Sequence, residues 1–103
     1  MAQQQMNAYD TLIYARYPAE EAQARQDYDA ACEAAENAQD RYEAALDTLI
    51  ALYEARQPEA TIKKHRAVVE LDRLDRNRAQ REAEAARLRL ERVQRELRAP
   101  VKQ

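Results

Sequence analysis

The sequence contains no glycine, no phenylalanine and no tryptophan, and only three prolines, one cysteine and one histidine. Each absence excludes something. Glycine most cheaply supplies left-handed turns and the central positions of tight hairpins, so sheets built on such turns and glycine-rich phosphate-cradling loops are disfavoured. A single cysteine, Cys32, permits no intramolecular disulfide, which fits a reducing compartment. A single histidine, His65, leaves imidazole chemistry without a second ring. At i±4 from it stand Thr61 and Val69, neither a strong metal ligand, so His65 reads as a surface or seam residue. Long apolar runs are missing as well. The longest, Leu49-Ile50-Ala51-Leu52-Tyr53, is far too short to cross a bilayer. The start, Met1-Ala2-Gln3-Gln4-Gln5, lacks the basic and apolar stretches of a secretion signal. The expected location is the cytoplasm of a bacterial or phage-infected cell, an association suggested also by 14 Arg against 3 Lys in an Ala-rich chain.

What is there points to helices. Ala, Arg, Glu, Gln and Leu are strong helix formers, and charged residues make up 35% of the 103 residues. This is a composition of long helices and coiled coils. The large apolar side chains are few, with six Tyr in place of Phe, so the core is thin for the length and invites self-association or a partner.

The prolines punctuate the chain. Proline fits the first helical turn but not a helix interior. Pro18 and Pro58, followed by Glu20, Glu21 and Glu59, therefore predict helix starts, since acids complement the positive end of the helix dipole. Pro100 predicts an end. The expected organisation is a short amphipathic helix over 1–17, a hairpin over 18–98 with helices at 18–56 and 58–98, and a tail at 99–103. Each long helix would span roughly 60 Å.

The first long helix carries a heptad. One core position holds Tyr28, Ala35, Tyr42 and Leu49; the other holds Ala24, Ala31, Ala38, Ala45 and Leu52. In the second, Ala79, Ala83, Ala86, Leu90, Val93 and Leu97 form a stripe, continued by Ile62, Val68 and Val69. Folding back at Pro58 sets Ala24 opposite Leu90, Tyr28 opposite Ala86, Ala35 opposite Ala79 and Leu52 opposite Ile62. Asp72, Arg76 and Asn77 interrupt this seam opposite Ala38 and Tyr42, either fixing register or forming a binding surface. Charge agrees with an antiparallel arrangement: residues 1–59 hold 12 acids and 4 bases, residues 60–103 hold 7 acids and 13 bases. The fold class expected is all-α: a long antiparallel hairpin with an Ala-rich seam, preceded by a short helix and pairing into a four-helix-bundle dimer.

Catalysis is not expected. Cys32 lies among Glu33 and Glu36, where negative charge disfavours a nucleophilic thiolate. Paired carboxylates need a pocket that separates their titrations, and a two-helix rod offers no cleft. No cofactor, metal, small molecule or membrane is called for. The residues that remain are binding residues. A second apolar stripe, Ala67, Leu71, Leu74, Ala85 and Leu88, lies on another side of the second helix, and Tyr9, Ile13, Tyr14 and Tyr17 crowd the N-terminal segment with Tyr53 near the turn. Tyrosine brings a large area and a polar tip to interfaces. These residues predict a protein-interaction module, a small adaptor or inhibitor that is also a homodimer. One alternative is nucleic-acid binding through Arg73, Arg76, Arg78 and Arg81. The stretch Arg76-Asn77-Arg78-Ala79 resembles the basic region of leucine-zipper factors. That family's paired alanines and following arginine do not fall at the required spacing, and interleaved Glu82, Glu84, Glu91 and Glu96 invite intrahelical pairs. The arginines are read chiefly as the electrostatic mate of the acidic first helix. That acidic helix, with Asp27, Asp29, Glu33, Glu36, Asp40, Glu43 and Asp47, could alternatively mimic a phosphate backbone. A last alternative is a structural subunit of a virion or secretion apparatus. No motif ties the chain to a family.

Overall fold

The computed structural model describes the backbone of residues 2–98 and the side chains of residues 18–97. Two helices account for it: α1 (Ala2–Glu54) and α2 (Glu59–Arg98). They lie side by side in a rod of 83 × 18 × 15 Å. No strand occurs among the described residues.

The helix expected to open at Pro18 does not open there. α1 runs through Pro18 without a break, so the expected boundary between 1–17 and the hairpin is absent from the backbone. A proline inside a helix forfeits one backbone hydrogen bond and crowds the preceding turn, at a cost of about 3 kcal/mol. Its ring nevertheless holds φ near the helical value, and Leu12, Ala15 and Arg16 before it and the alanines, glutamates and glutamines after it favour helix. The composition outweighs the punctuation. The tail at 99–103 lies outside the described residues.

The turn is longer than expected. α1 stops at Glu54 and α2 starts at Glu59, each a residue or two inside the expected ends. The Arg56 amide donates to the Tyr53 carbonyl at 3.0 Å, and the Gln57 amide donates to the Leu52 carbonyl at 3.1 Å. This pair of bonds is the Schellman arrangement, which needs a left-handed residue where the helix ends. Arg56 supplies it, with φ 53°. In a chain without glycine, a side chain takes the conformation that glycine takes at least cost, and this costs about 1–2 kcal/mol. Pro58 follows, and its carbonyl accepts from the Thr61 and Ile62 amides at 3.0 and 3.1 Å, starting α2. Arg56→Gly is expected to raise stability by about 0.5–1 kcal/mol, because relief of the left-handed strain exceeds the added freedom of the unfolded chain. A thermal melt that is unchanged or lowered by this substitution would contradict that account.

The seam follows the heptad. Ala24, Ala38 and Ala45 of α1 are buried, and Ala31, Ala35, Tyr28, Tyr42, Leu49 and Leu52 are half-buried. On α2 the buried residues are Ile62, Ala86, Leu90 and Val93. Between them Val69, Arg76, Ala83 and Leu97 recur every seven residues from Ile62, and His65, Asp72 and Ala79 recur in phase with Ala86 and Val93. All of these are half-buried. The α2 stripe is therefore one unbroken heptad that passes through His65, Asp72 and Arg76. Val68, expected to continue the core stripe, is 45% exposed, because its neighbour Val69 holds the inward position.

Four contacts across the seam fix the register. His65 Nε2–H donates to the Ala45 carbonyl at 2.9 Å, which also sets the tautomer of the ring. The Arg76 guanidinium stacks over the Tyr42 ring, 4.4 Å from its centroid. Arg89 meets Asp27 at 3.7 Å, and Gln94 Nε2 donates to Glu21 Oε1 at 3.3 Å. The polar interruption thus sits opposite Tyr42, as the heptad register requires. There Arg76 also donates from Nε and Nη2 to Asn77 Oδ1 at 3.2 and 2.9 Å, so its charge is held between a ring and an amide.

Candidate interaction surface

The seam uses one side of each helix and leaves the opposite sides bare. On α2 the bare side runs through Ala67, Leu71, Leu74, Arg78, Arg81, Ala85, Leu88, Arg92 and Arg95, at alternating spacings of three and four, and every one is exposed. This is a second heptad-spaced line, facing away from α1. Leu71 is 63% exposed, Leu74 49% and Leu88 51%. Isolated exposed leucines are ordinary, but several aligned on one face are a recognition feature. A shallow groove lined by Ala85, Leu88, Arg89, Arg92 and Arg95 lies along it.

The arginines divide into two groups. Arg73 is bound to Glu70, and Arg87 pairs with both Glu84 and Glu91. These pairs hold Glu70 and Glu84 below the usual carboxylate range, chiefly through the hydrogen bonds from Arg73 and Arg87, and raise both guanidinium groups above theirs. Together with Arg76 on Tyr42, these residues belong to the hairpin itself. Arg78 makes a long, exposed pair with Glu82 at 3.9 Å, and exposed pairs of this kind contribute little. Arg81, Arg92 and Arg95 make no ion pair among the described residues. The basic run was expected to be the mate of α1. Arg89 reaches Asp27, but Arg78 pairs within α2 from an outward position, and the half-buried Arg73 and Arg87 pair with Glu70, Glu84 and Glu91 of their own helix.

Of the four arginines suggested for nucleic acid, Arg73 and Arg76 are engaged by Glu70, Tyr42 and Asn77, while Arg78 and Arg81 face out. Of the partner-binding residues, Leu71, Leu74 and Leu88 share the outer line of α2. Tyr53 stands apart, near the turn, where Arg66 donates to its hydroxyl and lies 5.4 Å over its ring. The side chains of Tyr9, Ile13, Tyr14 and Tyr17 lie outside the described residues. Two exposed apolar residues were not foreseen. Ile50 is 53% exposed, and Val68 lines a groove with Leu52, Thr61, Lys64 and His65. The seven-residue spacing from Ile62 to Val69 was the signal that would have placed Val68 outside the seam.

Tyr28 and Cys32 lie one turn apart in α1. A hydrogen bond to Cys32, then the charge of that thiol, raises the Tyr28 hydroxyl above its ordinary ionisation range. Both are half-buried. No group of three or more His, Cys, Asp and Glu side chains able to hold a metal gathers among the described residues. No helix there is long and apolar enough to cross a membrane.

The fold and this surface define a class: an antiparallel two-helix hairpin with heptad seams and one bare amphipathic face. Comparison with protein-family models, curated proteins and solved structures finds no match to this chain.

Proposed function

We propose that this chain is a non-enzymatic protein-interaction module, a small adaptor or inhibitor of a bacterial or phage-infected cytoplasm, that takes a helical partner against the outer face of α2. One observation carries the reading: Leu71, Leu74 and Leu88 line a single exposed face at helical spacing, the pattern by which one helix anchors another. Tyr53, exposed near the turn, extends the same reading, and Tyr9, Ile13, Tyr14 and Tyr17 join it as sequence candidates. Self-association is the simplest case of such a module, and pairing of two hairpins in a four-helix bundle is its closed form. A second reading has its own support. Arg78, Arg81, Arg92 and Arg95 share the face, and among the described residues only Arg78 of the four makes an ion pair, the long one with Glu82, an arrangement suited to a phosphate backbone.

The test is co-purification with tagged native chain and with a Leu71→Asp, Leu74→Asp variant, each with and without nuclease. A near-stoichiometric protein that survives nuclease and is lost with the variant is the expected result. Recovery of nucleic acid that falls steeply with salt and ignores the leucine changes would replace the interaction reading with the second one.

A further inference from the structure

The outer face of α2 has a counterpart on the same molecule. The corresponding line on α1, away from the seam, runs through Ala30, Glu33, Asn37, Asp40, Ala44, Asp47 and Ala51, all exposed. The two lines are segregated in charge. α2 contains Glu59, Glu70, Asp72, Asp75, Glu82, Glu84, Glu91 and Glu96, yet none of its acids stands on its outer line. Between residues 18 and 54, α1 contains Arg25 and Arg41, and neither stands on its own. They are segregated in size too, with leucines on α2 and alanines on α1.

We propose that the outer face of α2 docks on the outer face of α1 of a second copy of this chain. The inference rests on the interaction-module reading and names its partner. Like faces do not suit one another. Two α2 faces would confront Arg78, Arg81, Arg92 and Arg95 with themselves, and two α1 faces would confront Glu33, Asp40 and Asp47 with themselves, with alanines, Asn37 and the single exposed Ile50 between them. Unlike faces bring bases to acids and two of the three leucines to alanines. With the helices antiparallel, one alignment sets Leu74 over Ala44, Leu88 over Ala30, Arg78 beside Asp40 and Lys64 beside Glu54. A leucine seated over an alanine lets the helices approach closely, as Leu90 does over Ala24 in the hairpin's own core cluster. The flanking charge pairs add orientation and specificity more than affinity.

The two faces lie on opposite sides of the rod, because each points away from the shared seam. A copy that offers its α2 face keeps its α1 face free. Such a contact is head-to-tail and continues from copy to copy, where a self-complementary contact would stop at two. The assembly is therefore an open row of hairpins and not a closed bundle.

The test is light scattering on the full chain over a range of concentrations at low and high salt, with two charge-reversed variants. The native chain is expected to grow past two copies as concentration rises and to dissociate at high salt, because the charge pairs are exposed and screened. Arg78→Glu with Arg81→Glu sets acids of α2 against the acids around Asp40, and Asp40→Arg with Asp47→Arg sets bases of α1 against Arg78 and Arg81. Each variant alone is expected to be a monomer, and an equal mixture of the two is expected to associate again. Circular dichroism verifies that both retain native helicity. Leu88→Glu, at an exposed position, removes an apolar contact without altering α1 and is also expected to give a monomer. A native chain that stays monomeric at every concentration, a mass that stops at two, or a mixture that stays inert overturns the proposal. If the native chain stays monomeric while a foreign protein is still captured through Leu71 and Leu74, the second copy is excluded and the docking surface stands.

Discussion

Replacing Leu90 by Ala is expected to lower the unfolding free energy by about 3 kcal/mol. Leu90 is buried with Ala24 and Val93, and Tyr28 packs against the three. This cluster is unusual in the molecule, since most buried positions of the seam are alanines. Truncation removes the transfer energy of the isobutyl group and leaves a gap. Ala24 cannot fill that gap, because it has no side-chain atoms beyond Cβ. Urea or thermal unfolding followed by helical circular dichroism measures the effect. Ile50→Ala, at an exposed position, is the control and is expected to shift stability by less than about 0.5 kcal/mol. Equal effects at Leu90 and Ile50 would mean that the helices do not meet through this cluster.

The second large effect is expected from overfilling. Ala38 is 2% exposed, the lowest value among the buried residues, and it stands opposite the polar stretch of α2. Ala38→Leu adds a branched side chain where the opposite helix leaves no room, and a cost of about 2 kcal/mol follows from the forced shift of backbone and rotamers. The same change at exposed Ala22 is expected to be neutral or slightly favourable, leucine being nearly as good a helix former as alanine. The comparison separates crowding from propensity. A stabilised Ala38→Leu would mean that the seam at that level is wide, and that the alanines are there for helix propensity alone.

Both expectations come from a pattern legible in the residues. Tyr28, Ala35, Tyr42 and Leu49, and Ala24, Ala31, Ala38 and Ala45, could be placed on one face from spacing, because a heptad repeats the same angular position turn after turn. The hairpin and the pairing of Ala24 with Leu90 followed from Pro58 and from the length of the two repeats. What spacing could not give is instructive. At Pro18 a start and an interruption have the same local signature, and the outcome depends on the helix propensity summed over residues on both sides. On α2 the inward positions hold His65, Asp72 and Arg76, so a reading by hydropathy loses the repeat where the geometry keeps it, and Val68 is drawn in by its apolarity. The turn was legible as a place but not as a conformation, since nothing in Ala55-Arg56-Gln57 announces a left-handed arginine. The candidate surface was half legible. Leu71, Leu74 and Leu88 stood out as a surplus stripe, but the division of the arginines depends on which carboxylates come within reach. Glu70 and Glu84 take Arg73 and Arg87, and leave Arg81, Arg92 and Arg95 to the outside.

The cluster of Leu90, Val93, Ala24 and Tyr28 has a mechanical consequence that follows from its place. A helical hairpin is tethered at its turn and ordinarily frays from the opposite end, where nothing holds the strands of the rod together. Here the turn end is closed by Ile62 and Leu52 beside the covalent link, and the far end is clasped by Leu90 and Val93 against Ala24 and Tyr28. Between them lie small residues against small residues, and the half-buried Asp72 and Arg76. A rod held at both ends resists unzipping from either tip, and the Arg76–Tyr42 stack holds its mid-length.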